Sequence, residues 1–456
     1  MKPENLSSDR RQKNTNRFLR KLSALKLLIA LSLIFALTAC ASWLPQVEFP
    51  WQSEETQPTR TPEPPLTETN ALPAETQPLP TQMAPSNELV VWLPAEMDPA
   101  AENQAASLLN ARLLAFSQAE GITISVRLKS LSGSGGLLDA LTAASAAAPQ
   151  ALPDLILLPR RDLETAALKS MVIPLDPLTS IVDDKDWFPY AHEMSLIQGA
   201  AYGIPFVGDP LALILKAGVK SSPTADWQVI NSPGSLFTFP ADDVQALLPL
   251  TLYMALGGAV SGNQLRPSLD EEILGDTLTL LAEGQQKGSI RAEVLQWQTF
   301  QQSWQGFLEG DANCTAAPVS LLLRRYAQAG TNAEALPSLL ETSFTLSSGW
   351  VWALGASQAG RQELAVRLAE YLVEPGFLSS WSEAFGKLPA RISALESWQN
   401  PELRAALMRL SLKAHFLPGN EILTSISPAL RSAVLAVLRD NSTPEEAALQ
   451  AVESLQ

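Results

Sequence analysis

ELVVWL at 88–93, ITISVRL at 122–128 and PDLILL at 153–158 are the stretches that decide the fold. Each is a short apolar or alternating run of β-prone residues, as buried or half-buried strands require. Between them lie AAENQAASLLNARLLAFSQ (100–118) and LLDALTAASAAA (137–148), whose apolar residues recur at helical spacing. Strand, helix, strand, helix, strand is the pattern of βαβ units, in which crossover helices join parallel strands. Further along, helices are predicted over 242–257, 270–287, 296–309, 361–373, 401–414 and 428–455, with one strand-like interruption at 344–354. The fold class is therefore α/β.

The region before residue 88 is different. Arg10, Arg11, Lys13, Arg17, Arg20, Lys21 and Lys26 precede LLIALSLIFALTA at 27–39, an uncharged run shorter than the ~20 residues a membrane span needs. That is the make-up of an export signal. It ends in LTAC, and Leu37–Cys40 resembles the lipobox of bacterial lipoproteins, which implies lipid attachment at Cys40 and removal of the residues before it. From 41 to 87 the chain is dense in Pro, Thr, Glu and Gln, a composition that favours an extended tether over a packed core.

Composition narrows the chemistry. The 456 residues exceed one ordinary domain, and 46% of them are apolar, ample for a core. A formal charge of −15 argues against a nucleic-acid surface, which needs a basic face. The two cysteines, Cys40 and Cys314, allow one disulfide at most. If Cys40 is lipidated, Cys314 remains as a small buried apolar residue. His192 and His415 are the only histidines, and neither C-x-x-C nor H-E-x-x-H occurs, so no metal or cofactor is expected.

The landmarks from 88 onward follow an order that resembles the family 1 extracellular solute-binding proteins, the group containing the maltose-binding protein. LVVWLP (89–94) resembles the first strand, and PDLILL (153–158) a later one. LETAALKSMVIPLDPL (163–178) is similar to a helix ending in Pro-Leu-Asp, and GAAYGIPFVGD (199–209) to the stretch that approaches the interlobe crossing. FQQSWQGFLEGDA (300–312), SSGWVWALGAS (347–357), YLVEPGFLSSWSEAFGKLPAR (371–391) and the final helix complete the series. After the crossing, Leu215 and Lys216 stand where the family often has Tyr-Asn.

The resemblance implies a two-lobed, periplasmic-binding-protein-like fold of type II. Each lobe would be a mixed sheet flanked by helices, with a hinge between. The expected divisions are a signal at 1–40, a tether at 41–87, a first lobe at 88–206 and 344–395, and a second at 207–343 and 396–456. The implied function is extracytoplasmic capture of a small solute, most often a sugar or oligosaccharide, by a monomer anchored through Cys40. The solute would pass to the membrane permease subunits of an ABC importer.

Candidate ligand contacts follow from chemistry as well as from position. Trp92, near the end of its strand, offers an indole face for stacking, with core packing as its alternative. Tyr202, between Gly199 and Gly203, contacts ligand or packs the hinge. Asp209 and, less centrally, Glu96 supply carboxylates for paired hydroxyls. Trp350 and Trp352 share one strand face by period two; Trp350 is the ligand candidate, and Trp352 serves ligand or core. Gly133-Ser-Gly-Gly136 precedes a helix, either presenting amides to a polar ligand or forming an ordinary loop.

An enzyme is not expected. GASQA at 355–359 misses G-x-S-x-G by one residue, only His415 could serve Ser357 as base, and Ser357 reads better as a helix N-cap. Two other readings stay open: a ligand-presenting sensor without transport, and a glycoside-active enzyme, whose paired carboxylates a sequence does not reveal.

Overall fold

The computed structural model describes residues 87–219, 226–262, 266–329, 336–355 and 359–455. The leader, Cys40, the tether up to residue 86 and Ser357 lie outside these residues.

Strand β1 (Glu88–Pro94) is buried on both faces after its first residue, as befits an interior parallel strand. Helix α1 (Gln104–Glu120) starts where the Asn103 side chain accepts the Ala106 N–H and stops at Gly121, whose φ of 65° suits glycine. Its Ala105, Leu109, Leu113 and Phe116, three or four residues apart, face the core. Strand β2 (Thr123–Lys129) pairs in parallel with the whole of β1. After α2 (Leu137–Ala147), strand β3 (Leu155–Pro159) pairs in parallel with β1 on its other side and leads straight into α3 (Arg160–Leu168). The carboxylate of Asp154, just before β3, accepts the Val90 N–H at 2.8 Å and pairs with Arg361 at 3.1 Å, tying the sheet's base together.

Past β4 (Val172–Ile173), α4 (Pro189–Ser195) and the small hairpin of β5 (Leu196–Ile197) and β6 (Ala200–Ala201), the chain enters β7 (Ile204–Leu215), a strand of 12 residues. Its second half belongs to a different sheet from its first. Around 211–215 it runs between β9 (Cys314–Pro318) and β10 (Ser338–Leu340), both antiparallel, while β8 (Phe237–Thr238) extends that sheet beyond β9. Helices α5 (Leu247–Ala255) and α6 (Glu271–Gln286) pack into the core on one face of this second-lobe sheet, whereas α7 (Phe300–Glu309) and α8 (Val319–Ala329) bury Trp304, Phe307, Val319 and Leu322 in the core on the other face.

The return strand β11 (Thr345–Gly355) inserts between β3 and the first half of β7, antiparallel to both. Helices α9 (Ala359–Leu372) and α10 (Pro375–Phe385), strand β12 (Leu388–Pro389), and helices α11 (Ile392–Glu396) and α12 (Pro401–Leu412) follow. Strand β13 (Ala414–Phe416) then pairs with the start of β11, and α13 (Asn420–Leu438) and α14 (Pro444–Glu453) close the second lobe.

Side-chain alternation along β7 separates two cores. Leu211, Leu213 and Leu215 join Leu248, Leu278, Leu430 and Val434 on one face. Ala212 and Ile214 join, on the other face, a core continuous with that of the first lobe. By length and composition α13 could cross a membrane, yet its apolar side packs into the second-lobe core. The helix predicted to begin at residue 428 begins at 420 instead and carries Pro428 within it. A proline inside a helix costs the N–H bond to residue i−4, so the sequence suggested a start where there is only an interior defect.

At the crossing, Gly208 and Gly349 stand opposite each other in β7 and β11. A Cβ on Gly208 would collide with the Tyr190 hydroxyl, and one on Gly349 would lie 2.5 Å from the Met194 sulfur. Tyr190 and Met194 are an i, i+4 pair on α4. The two glycines thus let α4 rest directly on the backbone of the crossing strands.

Candidate functional site

The carboxyl ends of β1 and β3 point the same way, and in open α/β sheets ligands bind at that edge. A cavity of about 600 Å³ lies there, with walls from both lobes. The first lobe contributes Leu131 and Ser132 from the β2–α2 loop, Arg160, Asp162 and Glu164 from α3, and Trp350 from β11. The second contributes Val244 and Gln245, and the start of α13 at Asn420, Leu423, Thr424 and Ser427, reached through Phe416–Pro418. A second cavity of about 430 Å³ around Trp297, by contrast, is walled by residues 236–312 alone.

The charged groups of the larger cavity are paired. Arg160, 8% exposed, donates from Nη1 to Glu164 Oε2 at 3.1 Å and from Nη2 to the Leu196 carbonyl at 2.8 Å. Its guanidinium also sits 5.1 Å from the centre of the Phe416 ring. Burial lowers its pKa, and Glu164 opposes that shift. Asp162, equally buried, has its carboxyl pushed above the usual range by loss of water, partly offset by Arg161, whose Nε lies 3.5 Å away. These side chains can hydrogen-bond a polyhydroxylated ligand, while Trp350, half-buried, supplies an apolar face.

Of the residues chosen from sequence, Trp350 alone lines this cavity. Trp352 is on the same strand face but one repeat deeper, opposite Leu157 where Trp350 is opposite Pro159. It is 1% exposed and packs against Phe206 with ring centroids 5.3 Å apart, so it is a core residue in place of a ligand contact. Trp92 is likewise core: it is 3% exposed, two residues short of the end of β1, with the Lys129 ammonium 4.9 Å from its ring centre. Tyr202 packs half-buried against the first-lobe core, its N–H bonded to the Ser195 carbonyl at 3.0 Å. Glu96 lies in the turn after β1, beside a separate crevice with Trp381 and Phe385.

Asp209 is engaged internally rather than offered to a ligand. Its Oδ1 accepts the Ser320 N–H at 2.9 Å, and its Oδ2 accepts the Ser320 hydroxyl at 2.7 Å and the Lys387 ammonium at 2.9 Å. The glycine-rich loop also spends its amides internally: Gly135 N–H on Asp139 Oδ2 at 2.7 Å and Gly136 N–H on the Gly133 carbonyl at 3.0 Å. His415 is stacked on Phe344 at 4.9 Å.

Sequence reasoning missed Arg160, Asp162, Glu164, Phe416 and Asn420. A signal was present for the first three. They directly follow the carboxyl end of β3, and Arg160 and Arg161 open a helix whose amino end disfavours cations.

The family model for bacterial extracellular solute-binding proteins matches residues 111–406. The chain belongs to that family. Solved structures agree on the fold of this solute-binding protein. The sugar-binding protein MalE from Xanthomonas citri is 18% identical, covers 80% of this chain and 95% of its own, and superposes with a TM-score of 0.66. A cyclo/maltodextrin-binding protein complexed with maltotetraose is 19% identical over 82% of this chain and 97% of its own, with a TM-score of 0.62. The GacH receptor of Streptomyces glaucescens, solved unliganded and with acarbose, is 16% identical over 81% and 97%, with a TM-score of 0.60. None of the curated proteins searched matches the sequence. At these identities the structures establish the two-lobed fold and leave the ligand to the site.

Proposed function

We propose that this protein captures a sugar or oligosaccharide in the interlobe cavity and delivers it to the permease of an ABC-type importer, held at the membrane by lipid on Cys40. The observation that carries the reading is the make-up of the cavity. A pyranose ring has one apolar face and a rim of hydroxyls. Trp350 offers the matching flat surface, and Arg160, Asp162 and Gln245 offer donors and acceptors around it. Walls from two lobes suit capture by closure, because each half makes part of the contacts and closing expels water.

Relatives with the same fold were solved with maltotetraose and acarbose, which makes α-linked glucosides the first ligands to try. The test is titration calorimetry of the purified chain from residue 41 onward with maltose, maltotriose, maltotetraose and acarbose, run beside a thermal-shift screen of polyols and amines. Saturable heat with one of the sugars is expected. Binding confined to amines or peptides would overturn the sugar assignment.

A further inference from the structure

Helix α13 has no side-chain cap of its own: its N-cap is Gly419, which carries no side chain to donate one. Helices leave their first amides without internal partners, and here the other lobe supplies one. Glu164 of α3 accepts the Asn420 N–H on Oε1 at 3.0 Å, and the Asn420 carboxamide donates to the Arg161 carbonyl at 2.7 Å. A carboxylate in this position also complements the positive end of the helix dipole. A Cβ at position 419 would lie 3.3 Å from Glu164 Oε1, so the glycine leaves the carboxylate room. Four residues earlier, Glu193 of α4 accepts the Phe416 N–H at 2.9 Å. Two first-lobe carboxylates therefore hold the chain as it passes from β13 into the second lobe.

We propose that Glu164 is a positioning residue, which caps α13 from across the cleft and thereby sets the angle between the lobes. Its other oxygen pairs with Arg160, a cavity wall, so cleft contents and lobe angle share one carboxylate. Holding Leu423, Thr424 and Ser427 toward the cavity in advance lowers the cost of closing on a ligand. The link to affinity rests on the sugar reading; the link to lobe angle does not.

The decisive variant is Asn420→Pro. Proline is favoured at the first position of a helix, and Gly419, at φ −59° and ψ 157°, already has the extended backbone a pre-proline residue needs. The change deletes both Asn420 donors and leaves the Arg160–Glu164 pair intact. Glu164→Gln is its companion, retaining an acceptor for the Asn420 amide. Small-angle scattering on protein without added sugar should show a larger radius of gyration for N420P and an unchanged one for E164Q. Exchange at the Asn420 amide should stay slow in E164Q. Affinity for maltotriose should fall about tenfold in N420P, the worth of one charge-assisted hydrogen bond. An unchanged radius in folded N420P overturns the proposal. An enlarged radius with no maltotriose binding by any form sustains the cap and refutes the sugar assignment instead.

Discussion

Replacing Asp209 by alanine removes an acceptor that three donors share: the Ser320 amide, the Ser320 hydroxyl and the Lys387 ammonium. The Lys387 side chain is 7% exposed and that of Asp209 12%, so water does not readily replace the lost partner. Breaking a buried pair by deleting one member costs about 3–5 kcal/mol. Helix α8 also loses the carboxylate bonded to its first turn, worth about 1 kcal/mol. The two losses share one side chain and overlap, so D209A is expected to lose about 4 kcal/mol in all. D209N keeps an acceptor for the Ser320 amide and should fall between. D209A/K387M, which removes the stranded charge and keeps the volume of the stem, should recover most of the loss. Guanidinium unfolding followed by far-UV circular dichroism, with slopes compared between variants, reads each value. If D209A unfolds within about 1 kcal/mol of the parent while losing sugar affinity, the carboxylate is a ligand group after all and the buried pair is incidental.

The two tryptophans on β11 should separate cleanly. Trp350→Ala weakens sugar binding ten- to thirtyfold, about 1.4–2 kcal/mol, with little change in melting temperature; Trp352→Ala costs about 3–5 kcal/mol of stability. Calorimetric affinity and melting temperature on the same samples decide it, and the reverse pattern would move the cavity. Asp162 titrates above the ordinary range because the folded state disfavours its charge. Its stabilising contribution is therefore complete at low pH and is lost as pH rises through the raised value. Asp162→Asn should match the parent in acid and exceed it progressively towards neutrality, a divergence that melting scans across that range detect. The Cys314 thiol, 1% exposed and pushed up to about 12 by burial, should resist iodoacetamide in native protein and react once the chain is unfolded, as mass spectrometry would show.

The first lobe was legible in the sequence because interior parallel strands carry uninterrupted apolar runs between breakers. The strands predicted at 88–93, 122–128 and 153–158 are β1, β2 and β3 to within two residues. Strand β9 was not legible: CTAAP is short, small-residued and flanked by an acidic turn, and it is a strand only because β7 and β8 enclose it. The site was harder for the same reason. Trp350 and Trp352 share one strand face by period two, and only the family resemblance favoured Trp350; the depth along the strand that makes Trp352 core is a property of the sheet. Asp209 looked available because its partner Lys387 is 178 residues away. The pairing of Glu164 with Asn420 spans 256 residues, and no local pattern announces it.

The insertion of β11 between β3 and β7 has a consequence for how the chain assembles. A chain made from its amino end completes β1 to β3 by residue 159 and β7 by residue 215, yet the strand that joins them arrives only with residues 345–355. Until then both neighbours present unpaired edges, the kind of surface on which other chains add strands. Pairing across so long a separation is intrinsically slow. The first lobe therefore cannot finish as an early, independent unit. The two lobes must mature together, late and nearly at once, so a truncation anywhere before residue 345 should yield a sticky intermediate instead of a smaller domain.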